Sequence, residues 1–185
     1  AGMRALALYQ MTHAGGKLNF MGDEIAQFIE WRYYEGIQYF LAEEFESHRN
    51  QQLFVRELNH FYNEHPALWQ CGYESDSFSW IDADNAEQSI ISFVRRGDDS
   101  ADDLVVLINF DVSAHEGFRM GVPAWGVWEE LLSSDDERFG GSGVTNTVRL
   151  AAEDEPWNGC EQSITVRVPP LGGMILACTG ALKRP

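Results

Sequence analysis

The chain is poor in cysteine, in basic residues and in long apolar runs. It holds three cysteines in 185 residues, Cys71, Cys160 and Cys178. None forms a C-x-x-C pair and the count is odd, so they read as reduced thiols of a cytosolic protein rather than a disulfide framework. Lys plus Arg number 13 against 29 Asp plus Glu, a net charge of −16. Such a charge repels nucleic acid and anionic membranes, both polyanions, and leaves neutral or cationic partners. No apolar run approaches the ~18–20 residues of a membrane span, and no basic-then-apolar signal peptide opens the chain. A cytoplasmic location is therefore expected.

Catalytic motifs are equally sparse. There is no P-loop and no H-E-x-x-H. Gly140-Gly141-Ser142-Gly143-Val144 misses the nucleophile elbow, because Val144 stands where the last glycine belongs. His13, His48, His60, His65 and His115 show no usual metal spacing; His60 and His65, five apart, do not share a helix face. Asp82 and Asp84 begin like a calcium loop, but Ala86 interrupts the ligand alternation. Neither metal nor cofactor is expected.

What the chain does have is apolar material, 44% of residues, with 12% aromatic, enough for one domain or one and a fraction. Met3, Leu6, Ala7 and Met11 predict a helix over Met3–Ala14, stopped by Gly15-Gly16. The stretch Lys17–Trp31, KLNFMGDEIAQFIEW, follows. Leu18–Met21 reads as a buried strand, then a glycine and two acids. A strand needs neighbours, yet only one helix precedes it, so the chain reads as beginning inside a larger unit. Helix, Gly-Gly, apolar strand, Gly-acid-acid is the pattern of the last units of a (β/α) barrel; a plain α+β start is the alternative. Tyr33–Phe45, aromatic and acidic, fits a helix or a long loop. Asn50 is a plausible N-cap for a helix carrying Phe54, Leu58, Phe61 and Tyr62 on one face and stopped by His65-Pro66.

After Pro66 the texture changes. Phe78–Ile81, Ser89–Arg95, Leu104–Phe110, Phe118–Gly121, Trp125–Leu132, Ser163–Val168 and Met174–Cys178 are short β-rich runs between turn residues. They predict an antiparallel β-sandwich or barrel, with a boundary near Ala67–Ser77. Ser163–Val168 alternates with period two, so one of its faces should be wet.

Acid pairs can perform glycosyl transfer, one as nucleophile and one as acid. Asp23 and Glu24, however, would point oppositely on a strand, and Asp98-Asp99 and Asp135-Asp136-Glu137 read as solvated loops. No catalytic residue is assigned. Six tryptophans could stack on sugars, but core or interface packing is their commoner fate. Trp157 stands apart in a Pro/Asn/Gly-rich loop.

A set of short motifs carries a resemblance. Lys17–Glu24, Gln27, Glu30-Trp31 and Val55-Arg56-Glu57-Leu58-Asn59 come first. Phe78-Ser79-Trp80-Ile81-Asp82, Ser89–Arg96 and Val106–Phe110 follow. Phe118–Pro123, Phe139-Gly140-Gly141-Ser142 and Pro169-Pro170-Leu171 close the set. In this order they resemble the C-terminal quarter of bacterial 1,4-α-glucan (glycogen) branching enzymes, of the α-amylase superfamily, from about Met3 to Thr179. The resemblance implies a mainly β fold: a C-terminal antiparallel β-sandwich preceded by a mostly helical remnant of the last units of a (β/α)8 barrel. Residues 1–66 would be the barrel's end, with its eighth strand at about 17–22 and its closing helix at about 50–64. Residues 67–185 would be the all-β C-terminal domain.

The family's retaining transglycosylation, α-1,4 cleavage followed by α-1,6 branching, uses carboxylates on earlier strands, and no residue here matches those motifs. By resemblance Glu24, Glu30 and Trp31 are substrate-binding candidates at the barrel mouth. Implied partners are α-1,4-glucan or glycogen and the absent catalytic barrel, with self-association through an unpaired barrel edge. The family usually continues Asn-His-Asp and then Leu-Asp-Trp after Glu30-Trp31; here the chain reads Arg32-Tyr33-Tyr34-Glu35-Gly36. Its usual Asn after Gly-Gly-Ser is Gly143. These departures fall on the groove lining and on chain-length preference. Two rival readings stand beside this one: a stand-alone carbohydrate-binding β module, and the C-terminal part of another α-amylase-superfamily enzyme. Without the rest of the barrel, residues 1–66 should pack on the sandwich as helices, pair with a second copy, or be poorly ordered.

Overall fold

The computed structural model describes residues 1–29, 31–70 and 74–184. Three helices come first: α1 (Gly2–Thr12), α2 (Phe40–Glu44) and α3 (Glu46–Glu64). Eight strands follow: β1 (Phe78–Asn85), β2 (Ile90–Arg95), β3 (Leu104–Asn109), β4 (His115–Val122), β5 (Val127–Ser133), β6 (Leu150–Ala151), β7 (Gln162–Val168) and β8 (Gly172–Gly180). Six form one sheet in the order β1-β2-β3-β8-β5-β6, and β4 and β7 form a two-stranded ribbon; every pairing is antiparallel. The β-sandwich with helices before it is thus present.

Two cores explain the layering. On one side of the large sheet, Leu104, Val106 and Ile108 of β3 and Ile175 and Ala177 of β8 pack with Ala5 and Leu8 of α1 and Phe54, Leu58 and Phe61 of α3. On the other, Val105, Leu107, Met174 and Leu176 pack with Met120 and Val122 of β4, Ile164 and Val166 of β7, and Trp128. Strand β3 is covered on both faces, which is why LVVLIN is apolar at five consecutive positions rather than at alternate ones. Full burial of each such aliphatic side chain contributes about 1.5–3 kcal/mol. Strand β7 keeps the expected wet face at Arg167, but Ser163 is buried. Its Oγ accepts from Arg119 at 2.9 Å and donates to the Glu155 carbonyl at 2.8 Å, so the loop before β7 covers it.

The helices depart from expectation at their ends. Helix α3 starts at Glu46, with extended Phe45 before it, so Asn50 lies one turn inside rather than at the cap. An acid in the first turn faces the positive end of the helix dipole and supports this earlier start. At its other end the His65 ring stacks on Phe61 at a centroid distance of 3.7 Å, and Pro66 begins a short 3-10 turn. Helix α1 ends at Thr12, whose Oγ1 donates to the Leu8 carbonyl at 2.7 Å; Gly15-Gly16 lie just beyond the stop. The segment that fitted a helix or a loop contains both, a turn at 33–35 and then α2.

The strand expected over 17–22 is absent. A parallel strand needs neighbours on which to spend its N–H and C=O groups, and among the described residues no strand pairs with this segment. Its backbone bonds locally instead: Asp23 N donates to the Phe20 carbonyl at 2.9 Å, and Phe20 N to the Asp23 carboxylate at 3.3 Å. A 3-10 turn follows at Asp23–Ile25. Residues 1–66 accordingly take the first of the three courses expected of them, helices packed on the sandwich.

Two buried polar devices tie the helical part to the sheet. Arg95, at the end of β2, is fully buried and donates to the carbonyls of Thr12 at 2.7 Å, Leu68 at 3.3 Å and Ser77 at 3.4 Å. Nearby, Lys17 donates to the His13 carbonyl, and its pKa is pushed down to about 8, first by burial and then by Arg95. Across the molecule, Arg4 of α1 donates to the Ser134 carbonyl at 2.7 Å, in the loop that follows β5. Burial lowers the Arg4 pKa, an effect opposed by nearby Asp135.

That loop folds round the buried Asp135 carboxylate. It accepts from Ser142 N at 3.0 Å, Ser142 Oγ at 2.7 Å and Val144 N at 3.1 Å. Asp135, expected to be a solvated acid, is therefore an internal anchor, and Gly-Gly-Ser-Gly is the segment wrapped round it.

Cys160 and Cys178 are free thiols, and burial raises the pKa of Cys160; Cys71 lies outside the described residues. No helix among the described residues is long and apolar enough to cross a membrane.

Candidate functional site

Glu24 sits in the 3-10 turn, half-buried, with both carboxylate oxygens engaged. Tyr39 Oη donates to Oε1 at 3.0 Å, and Asn19 Nδ2 to Oε2 at 3.4 Å. The hydrogen bond and charge of Glu24 raise the Tyr39 phenol pKa, because deprotonation would place two anions side by side. Gln27 organises the surrounding loop. Its Nε2 donates to the carbonyls of Met21 at 2.6 Å and Ile29 at 2.7 Å, and its Oε1 accepts from Gln38 N at 3.2 Å. Three non-glycine residues of this segment hold positive φ: Met21, Ala26 and Trp31. Such a cluster is uncommon outside functional or tightly determined loops.

Trp31 is 72% exposed, its ring tilted against Phe20 at 4.8 Å. Phe28, 77% exposed, meets His48 edge-on at 5.2 Å. Tyr33, Tyr34, Phe40 and Phe45 are exposed as well, with Tyr33 edge-on to Tyr34 and Phe45 edge-on to His48, so the segment 28–45 is rich in exposed aromatic rings. Soluble monomers seldom show such a surface without a use for it. Beside it a groove of about 530 Å³ runs along α1 and α3, lined by Arg4, Phe28, His48 and Gln51 among others. His48 Nδ1 donates to the Ile25 carbonyl at 2.7 Å, which anchors the Glu24 turn to α3. The structure thus places Glu24 and Trp31 in one irregular segment on the aromatic face; Glu30 lies outside the described residues. Among those residues, no group of three or more His, Cys, Asp or Glu side chains could hold a metal ion.

The tryptophans divide. Trp128 is fully buried with its Nε1 donating to the Ala124 carbonyl at 3.2 Å, whereas Trp31, Trp69, Trp80 and Trp157 are exposed. The half-buried acid Glu130 is another feature missed by the sequence reading. Burial raises its pKa, and Oε2 accepts from Asn146 N at 3.1 Å and Nδ2 at 2.7 Å. Asn146 in turn bonds the Arg167 backbone, so Glu130 fixes a loop against β7. The local signal for this is weak, since Glu129 precedes it and only Leu131 after it is apolar.

In fold the chain resembles part of α-amylase-type enzymes. It superposes on an alpha-amylase from H.orenii with a TM-score of 0.57 at 17% identity, over 96% of this chain and 35% of that one. A pullulanase from Anoxybacillus sp. LM18-11 superposes with a TM-score of 0.57 at 13% identity, over 96% of this chain and 23% of that one.

Residues 80–179 match the model of the alpha amylase C-terminal all-beta domain, and the chain belongs to that family. It is 40% identical over 176 residues to the 1,4-alpha-glucan branching enzyme GlgB of Francisella tularensis subsp. novicida, covering 95% of this chain and 28% of that protein. It is 42% identical over 177 residues to GlgB of Clostridium perfringens, covering 95% and 27%. The chain therefore spans a little over a quarter of the length of the curated relatives it matches, and is homologous to their C-terminal part.

Proposed function

We propose that this chain is the C-terminal part of a cytoplasmic 1,4-α-glucan branching enzyme, which forms α-1,6 branches on α-1,4-glucan during glycogen biosynthesis. The observation that carries the reading is identity of 40% or more to two branching enzymes across 95% of the chain. In this reading the domains divide at about residues 66 and 67. The first part closes a catalytic (β/α)8 barrel, and the second supports it and extends its glucan-binding surface. The aromatic face over residues 28–45 would meet the barrel. Because no strand forms at 17–22, self-association of the separated chain would run through that face and not through an unpaired barrel strand at 17–22. Glu24, Glu30 and Trp31 would line the substrate groove, with Glu24 held in place by Tyr39 and Asn19.

Two measurements test this. Incubated with amylose and followed by iodine staining, the 185-residue chain should show no branching; measurable branching would overturn the reading. In an intact enzyme carrying this segment, Glu24→Ala should lower the branching rate about tenfold, equivalent to ~1.4 kcal/mol of transition-state stabilisation. Its melting temperature should stay unchanged, since Glu24 bonds only exposed partners. An unchanged rate would remove Glu24 from the groove.

A further inference from the structure

We propose that a second groove, on the β-sandwich, is a subsite for a neutral α-glucan chain, with Trp157 as its stacking platform. The choice of glucan rests on the function proposed above; the site itself rests on geometry. The groove measures about 570 Å³ and is lined by Asp82, Asn85, Gln88, His115, Phe118 and Trp157, among others. These residues come from β1, the turn into β2, the start of β4 and the loop before β7.

Three observations point to a ligand. First, Trp157 is 45% exposed although its backbone is firmly held. It opens a two-residue Asn158-Gly159 turn with positive φ at both positions, 47° and 78°, as a type I′ hairpin requires. Trp157 N donates to the Cys160 carbonyl at 3.1 Å, and Cys160 N returns the bond at 2.9 Å. The Asn158 amide then pins the turn from both sides, accepting from Gly121 N at 3.1 Å and donating to the Asp82 carboxylate at 3.1 Å. Upstream, Arg119 pairs with Glu153 at 2.9 Å and Glu155 at 3.0 Å. An indole held in the open by a preorganised loop loses little entropy on binding a ligand.

Second, among the described residues His115 Nε2 is buried with no hydrogen-bond partner. A buried polar atom without a partner is costly, and a ligand hydroxyl would satisfy it.

Third, the charges around the groove are paired with one another. Arg119 binds Glu153 and Glu155, and Arg167 binds Glu116 at 2.8 Å. What remains on the lining is the Asp82 carboxylate, which accepts from Asn158 Nδ2 and Asp84 N, with amide, imidazole and indole groups; this suits a sugar's hydroxyls and C–H face and not a phosphate or carboxylate ligand. A flat ring beside a few polar groups is the general form of a small-ligand site.

The test is titration of the 185-residue chain with maltoheptaose, followed by tryptophan fluorescence and calorimetry. Trp157→Ala should weaken binding by about tenfold or more, as loss of an aromatic anchor does, with an unchanged urea midpoint because the ring is exposed. Trp157→Phe should recover most of the affinity, and replacing the exposed Trp69, which lines neither groove, with alanine should leave it intact. Retained binding in Trp157→Ala would overturn the subsite and leave the branching-enzyme reading standing. Absence of binding by the unmodified chain would also overturn the subsite, whereas the branching-enzyme reading is judged by the assays on amylose and on the intact enzyme.

Discussion

Replacing Arg95 with methionine is expected to destabilise the fold by about 3–5 kcal/mol, the range for breaking a buried charged contact from one side. At about 2–4 °C per kcal/mol for a chain of this size, the melting temperature should fall by roughly 6–20 °C. The methylene stem can be replaced, but the guanidinium cannot. It serves carbonyls from three separate segments: the end of α1, the turn after α3 and the residue before β1. Each buried acceptor left without a donor costs about 1–3 kcal/mol, and methionine offers none. Were the substitution to replace a complete ion pair with matched apolar groups, it could be neutral; here the carbonyls stay behind. Arg95→Lys should lie between the two, because one ammonium cannot reach three carbonyls as a planar fork does. A second reading is independent of stability. Lys17 has its pKa lowered partly by Arg95, so Arg95→Met should raise it above about 8. Thermal and urea denaturation together measure the first effect; a loss below about 1 kcal/mol would show that water enters and satisfies the carbonyls.

The position of Arg95 also shows where a sequence can be read and where it cannot. Strands β3 and β8 were legible because each is apolar through its length and flanked by turn residues, a pattern set by burial on both faces. Helix α3 was legible from Phe54, Leu58 and Phe61 on one stripe. The segment 17–22 misled for the same reason that β3 succeeded. Its apolar run is short enough to fit a strand or an irregular segment, and with no strand paired to it among the described residues the backbone bonds locally. Strand β6, two residues long, carries too few positions for any period to show. Asn50 has the chemistry of a cap, yet the helix began a turn earlier, after Phe45. Asp135 was indistinguishable from a surface acid, because the donors that bury it come from residues seven to nine positions later.

The candidate sites divide in the same way. Glu24 and Trp31 were visible only through the resemblance to branching enzymes, since nothing in their spacing announces the Tyr39 and Asn19 contacts. Trp157 was visible from its Asn-Gly turn. The groove beneath it was not, because Asp82 and His115 are brought there from 75 and 42 residues away by the crossing of the sheet and the ribbon.

Among the described glycines, Gly141→Ala is expected to be the most damaging single-methyl change, although its φ is not among the positive values. A Cβ there would lie 2.0 Å from the Asp135 carbonyl oxygen, 2.2 Å from its carbon and 2.5 Å from its Cα. All three atoms are backbone, so no side-chain rotation relieves the contact. The loop would have to open, and opening withdraws Ser142 N, Ser142 Oγ and Val144 N from a buried carboxylate. Overpacking alone costs about 1–3 kcal/mol, and each hydrogen bond to a charged group contributes about 1.5–3 kcal/mol, so a loss of at least ~4 kcal/mol follows. The control is Gly143, two positions on. Its φ is +80°, but a Cβ there meets only the Glu137 side chain, at 3.1–3.5 Å. Gly143→Ala should then cost no more than the left-handed penalty of about 1–2 kcal/mol. Urea midpoints should therefore rank Gly141→Ala well below Gly143→Ala, the reverse of what backbone angles alone would give. The reach of the effect follows from Arg4, which bonds the Ser134 carbonyl in the same loop. An opened loop releases the start of α1, so loss of Asp135's ligands should appear in hydrogen exchange as faster opening of residues 2–8. Exchange confined to 134–144 would mean that α1 is held by its apolar face alone.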